Sequence, residues 1–130
     1  MIVLDASAVV DWLLQTPAGQ RVEQRIYARN DTLHTVHFLD VEFAQVVRRL
    51  VREGTLARKR AEEAMEDLIA VRVTRYAPVA LLHRIWQLRQ NLSAYDAAYV
   101  ALAEELKAPL ITRDQKIAAA PGHSATVEVF

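Results

Sequence analysis

Apolar and polar positions run through this chain in two rhythms. Short apolar runs fall at Ile2–Asp5, Leu33–Val36, Leu110–Thr112 and Thr126–Val129, with a weaker one near Arg72–Ala77. Runs this short read as strands buried on both faces. Longer segments between them read as helices. The first covers Ser7 to Leu14. The second takes Thr16 as its N-cap and Pro17 as its first residue, and continues to Ala28. The third covers Asp40 to Glu53, with Asp40 as its cap, Gly54 as its stop, and Leu39, Phe43, Val46, Val47 and Leu50 as its apolar stripe. Further helices are predicted over Ala57–Ala70 and Pro78–Arg89, from Ser93 to Lys107, and briefly after Asp114 until Pro121-Gly122. This alternation predicts an α/β fold, a mostly parallel sheet with helices on both faces. With no repeat, linker or low-complexity stretch, residues 1–130 are expected to form one domain.

In such sheets ligands bind beyond the carboxyl ends of the strands, and that is where Asp5 and Asp114 fall. Each has a plain alternative role as a helix N-cap. Ser7 could cap the first helix instead, or support Asp5 through its hydroxyl. Glu42 lies in the first turn of its helix, at the edge of the apolar stripe, where an acid also suits the helix dipole. Asp96 stands out most. From Tyr95 to Ala103 its helix is otherwise apolar on every side, which predicts burial, and a buried carboxylate is costly unless paired or metal-bound. Its competing role is a capping-box partner of Ser93. Together the four predict carboxylates converging on one edge of the sheet. Their repulsion calls for a divalent cation, and an oxygen-only set suits Mg²⁺ or Mn²⁺ better than zinc.

Composition narrows the classes. There is no cysteine, which excludes disulfides and zinc–thiolate sites and fits a reducing, cytoplasmic setting. No apolar run is long enough for a membrane span, and no signal peptide is visible. Sixteen basic residues, 13 Arg and 3 Lys, balance sixteen acidic ones, so bulk charge does not announce a nucleic-acid partner.

The chain resembles the PIN-domain family, and within it the VapC toxins of bacterial toxin–antitoxin pairs. The resemblance rests on Val3-Leu4-Asp5-Ala6-Ser7-Ala8, on Glu42 in Asp40-Val41-Glu42, on Ser93-Ala-Tyr-Asp-Ala-Ala-Tyr-Val-Ala-Leu-Ala103, and on Leu110-Ile-Thr-Arg-Asp114. It covers essentially the whole chain. It implies the PIN fold, with a five-stranded parallel sheet, and a ribonuclease whose Mg²⁺ or Mn²⁺ is held by Asp5, Glu42, Asp96 and Asp114. Ser7 and Thr112 match the hydroxylated positions beside the acids. The implied activity is cleavage of RNA, often tRNA or rRNA, by a metal-activated water, which stops translation. The implied partners are a second copy of the chain and a VapB-like antitoxin that covers the pocket.

Other residues were weighed against plainer roles. Arg113 could contact phosphate or point away. Arg48, Arg49, Arg52, Arg58, Lys59 and Arg60 read as a solvated face or as a phosphate track. His34 and His37 fall on opposite faces of a strand, which disfavours a shared metal. Trp12 and Trp86 read as core or interface, and Tyr95 and Tyr99 as core packing. Phospho-acceptor modules need a second acid beside Asp5 and a Lys near the last strand, and both are missing. A PIN fold used only for docking, or acting on DNA, stays open at this level.

Overall fold

The computed structural model describes all residues, 1–130. The chain forms β1 (Ile2–Leu4), α1 (Ala6–Leu13), α2 (Pro17–Ala28), β2 (Leu33–Val36), α3 (Leu39–Arg52), α4 (Arg58–Ala70) and β3 (Val73–Tyr76). A 3-10 turn (Pro78–Leu81) follows, then α5 (Leu82–Gln87), α6 (Ala94–Leu106), β4 (Leu110–Thr112), α7 (Gln115–Ala119) and β5 (Val127–Val129). The sheet has five strands, all parallel, in the order β3-β2-β1-β4-β5. Successive strands step outward from β1 to β3, and the chain then crosses back to place β4 on the other side of β1. The β1/β4 junction is therefore the switch point, where a crevice opens beyond the carboxyl ends. Register there sets Val3 opposite Leu110 and Leu4 opposite Ile111.

The central strands β1 and β4 are buried at every position, whereas the edge strands β3 and β5 are not. This follows from helices covering both faces, and one apolar cluster joins the sheet to α1, α3 and α6. Helix α6 is the most enclosed, with Ala97 through Ala103 buried without a break. Small side chains let its backbone sit close to the sheet. Gly19 solves a similar problem between α1 and α2: a Cβ there would lie 1.8 Å from the Asp11 carbonyl oxygen.

Three sequence expectations need correction. Asp40 does not cap α3, which begins at Leu39 after Phe38 with no side-chain cap; the Asp40 carboxylate instead forms a two-bond pair with Arg75 on edge strand β3, at 2.8 and 3.0 Å. The helix expected over Pro78–Arg89 is a 3-10 turn followed by a six-residue α5. In the α3 stripe Leu39, Phe43 and Val47 are buried, while Val46 and Leu50 are only partly covered.

Gly19→Ala is expected to cost about 3 kcal/mol or more, because the new methyl meets the rigid backbone of α1 at Asp11 and Trp12. Urea denaturation of the variant beside the parent chain checks this; an unchanged midpoint would mean that α1 and α2 part without penalty.

Candidate active site

Asp5 is the residue immediately after β1. It serves as N-cap of α1, with Oδ1 accepting from the Ala8 amide at 3.0 Å, and it is also the most buried acid, 4% exposed. The Ser7 hydroxyl donates to the same Oδ1 at 2.7 Å, and the Thr112 hydroxyl donates to Oδ2. Capping and a site role therefore coexist in one side chain. Burial pushes the Asp5 pKa up to about 6 against the pull of these three donors, and the charge of Asp96 pushes it the same way.

Thr112 ties the β4 end of the crevice to the β1 end. While donating to Asp5, its oxygen accepts from the Asp114 amide at 3.0 Å. The Ser7 oxygen likewise accepts from the Arg113 amide at 3.0 Å. The Thr112–Asp114 turn is thus fastened to the start of α1 through two hydroxyls. Asp114 caps α7 through the Lys116 amide at 2.9 Å. The Arg113 guanidinium is directed elsewhere, to the Asp11 carboxylate and the Phe130 carbonyl.

Asp96 enters from α6, whose N-cap is Ser93; the Ser93 hydroxyl accepts from the Asp96 amide at 3.2 Å. The carboxylate makes no return bond to the Ser93 amide, so the capping box stays half-formed. Asp96 sits half-buried at the mouth of the apolar helix. Burial raises its pKa, the Ser93 hydroxyl offsets part of that, and the charge of Asp114 adds to it. Glu42 enters from α3, also half-buried. Burial raises its pKa, a hydrogen bond from Tyr99 opposes this, and Asp96 raises it again. Asp96 is thus the common neighbour, sensed by both Asp5 and Glu42 and itself sensing Asp114. The four acids therefore act on one another's charge through Asp96.

The acids do not form a closed cage. No three histidine, aspartate or glutamate side chains stand close enough together to grip an ion unaided. Hard divalent cations commonly keep part of their water shell beside one or two carboxylates, so an open, oxygen-only set fits such an ion. No lysine or histidine side chain pairs with any of the four. Beside Glu42 a cleft of about 500 Å³ is lined by Phe38, Val41, Gln45, Val46 and Tyr95. A cleft of about 550 Å³ at the opposite end of the strands, with Trp12, Tyr27 and Arg72 in its walls, holds none of the four acids.

Residues 2–122 match the PIN domain. The chain belongs to the PIN-domain family. It is closely related to several VapC-family toxins. It is 44% identical over 117 residues to ribonuclease VapC9 of Mycobacterium tuberculosis, covering 90% of this chain and 88% of the relative. With ribonuclease VapC12 of the same organism it shares 38% identity over 129 residues, 99% and 98% of the two chains. In fold it is similar to a chain of VapBC2 from Rickettsia felis, solved bound to a DNA fragment from their promoter. That match has a TM-score of 0.70 at 17% identity and covers 99% of this chain and 98% of the other. Membership of this PIN family implies catalysis that depends on a divalent metal.

Two residues escaped the sequence reading. Tyr99 was assigned to the core, and its ring is there, but its hydroxyl donates to Glu42 Oε1 at 2.7 Å. Burial and the Glu42 charge push its pKa well above the ordinary tyrosine value, so the hydroxyl keeps its proton and remains a donor. The signal was a tyrosine where phenylalanine would fill the same space: a hydroxyl sent inward needs a partner. Tyr95, also expected in the core, is 59% exposed and meets Phe38 edge-on at 5.4 Å. Trp12 is core, Trp86 is exposed under the Arg89 guanidinium, and His34 is held by Thr32 and Tyr76 at 2.8 Å each.

Asp5 also sets a pH dependence. Its pKa in the folded chain, about 6, exceeds the 3.8 of an ordinary aspartate. The protonated form is favoured by folding, so this contribution is fully present below about pH 4 and is lost as pH rises through about 6. Two units correspond to about 3 kcal/mol. In EDTA, Asp5→Asn is expected to be more stable than the parent chain at about pH 7.5, with the gap narrowing toward pH 4. Urea titrations at the two pH values check this. A variant less stable at both would show that the three donors outweigh desolvation.

Proposed function

We propose that this chain is a Mg²⁺- or Mn²⁺-dependent endoribonuclease that acts in the cytoplasm as the toxin of a toxin–antitoxin pair. The observation that carries the site is Thr112 at the β1/β4 switch point of a PIN-family chain, its hydroxyl donating to Asp5 and accepting from the Asp114 amide, with Asp96 and Glu42 half-buried on the neighbouring helices. Relationship to ribonucleases at 38 and 44% identity over nearly the whole chain supports RNA as the substrate.

Asp5, Asp96 and Asp114 would hold the cation, with Glu42 bound directly or through water. When bound, the cation supplies positive charge at the phosphoryl group and lowers the pKa of a water. The chain's own part is to hold these carboxylates near one another despite their repulsion, in surroundings that raise the pKa of Asp5, Glu42 and Asp96 and that a cation would offset. Ser7 and Thr112 fix the Asp5 oxygens, so that rebuilding the pocket is not part of each turnover. In-line attack of water on phosphorus breaks the bond to the 3′ oxygen and leaves a 5′-phosphate. No lysine or histidine pairs with the acids, so in this reading the carboxylates take up the proton of the attacking water.

A tRNA or rRNA target would make the cleavage a block on translation. A VapB-like antitoxin would silence the enzyme by covering the acidic crevice. The apolar face beside it supports a homodimer: Val41 is 72% exposed and adjoins Phe38 and Tyr95, an arrangement unusual on a surface that stays bare.

The test is cleavage of total RNA by purified protein in Mg²⁺ and in EDTA, with Asp96→Asn alongside. Discrete products that need the metal are expected, and Asp96→Asn should lower the rate at least about 100-fold, beyond what outer-shell residues usually cost. Its thermal midpoint should stay close to that of the parent. A folded Asp96→Asn protein that cuts normally would remove Asp96 from the site.

A further inference from the structure

We propose that Tyr99 is a positioning residue for the reaction, its hydroxyl holding the Glu42 carboxylate toward Asp96. The inference rests on the reading of the four acids as a metal site and adds a residue to it.

Two of the four acids are fixed by hydrogen bonds at a helix start, and a third has a short side chain on a buried helix. Asp5 has three donors, Asp114 is bound to its own helix start, and Asp96 stands in the first turn of a buried helix. Glu42 differs. It has the longest side chain of the four and no basic partner, and its helix begins without a side-chain cap. Its one hydrogen bond comes from Tyr99, at 2.7 Å. Without that bond the carboxylate could rotate away from the repelling charge of Asp96 into the open cleft lined by Gln45 and Tyr95.

Tyr99 itself has little freedom. Its ring is 1% exposed and meets Phe38 edge-on at 5.5 Å. It lies three residues after Asp96 on α6, so both side chains issue from neighbouring positions on one helix face. One rigid phenol thus relates two elements, α3 and α6, each carrying a site acid. A purely structural pair would show itself in stability alone, since phenylalanine fills nearly the same volume. A positioning role shows itself in the metal.

Mn²⁺ binding by calorimetry separates these cases, with the protein as purified, as Tyr99→Phe, Glu42→Ala, their double variant and Asp96→Asn. Tyr99→Phe is expected to weaken Mn²⁺ binding about tenfold, as loss of an outer-shell partner commonly does. The Mg²⁺ concentration for half-maximal cleavage of total RNA should rise in parallel. In the Glu42→Ala background the same change should cost nothing further, because the two act as a unit. Glu42→Asp keeps the charge but retracts it from the hydroxyl, and should reproduce the loss should Tyr99→Phe fold poorly. Undiminished Mn²⁺ affinity in a folded Tyr99→Phe, or in Glu42→Asp, or an equal loss with and without Glu42, would overturn the role of Tyr99. If Asp96→Asn binds Mn²⁺ as the parent does, the metal site itself is wrong and this role falls with it.

Discussion

Asp5 must hold a carboxylate in a place almost without water, between the ends of the two central strands. Taking a charge out of water is costly unless donors replace the lost solvation. Three donors do so here, from α1 and β4, and each is itself placed by the hydrogen bonds of its own element. The parallel pairing of β1 with β4 brings those donors together. Had β4 been added elsewhere in the sheet, Thr112 would not reach Asp5 and the turn carrying Asp114 would have no anchor. The strand order is thus an electrostatic requirement as much as a packing solution.

The distribution of charge follows from this. The net charge is zero, yet the acids at the crevice carry no ion pair. Many of the arginines are committed elsewhere: Arg25 to Asp31 and Glu128, Arg75 to Asp40, Arg84 to Glu104, Arg113 to Asp11. These pairs join edge strands and peripheral helices and leave the crevice uncompensated. A site neutralised by its own arginines would have little affinity for a cation. Arg48, Arg49 and Arg52 on α3 remain exposed and outside every ion pair, so local positive charge can exist on a chain that is neutral as a whole.

Much of this was legible in the sequence because burial on both faces leaves a plain signature. Ile2–Leu4 and Leu110–Thr112 have no polar face to confuse the reading, and an acid at the end of each stands out. Asp96 stands out likewise against the apolar run of α6. The misreadings share one cause, which is that partners distant in sequence override local preference. Asp40 looks like a cap until Arg75, 35 residues on, claims it. The Pro78 segment has the composition of one helix, but its first turn tightens to 3-10 geometry. Tyr95 and Tyr99 share a periodicity, yet one meets solvent and the other Glu42. Periodicity gives a side chain's direction along its own helix and says nothing about what waits there.

The strand order also has a temporal meaning. The chain is made from β1 outward, and β1 is the middle of the finished sheet. Its neighbour β4, and with it Thr112 and Asp114, follows β2 and β3 in the chain. Until it pairs with β1, Asp5 lacks its main donor and Asp96 lacks the acid that faces it across the crevice. The proposed site is therefore complete only once that long-range pairing has formed.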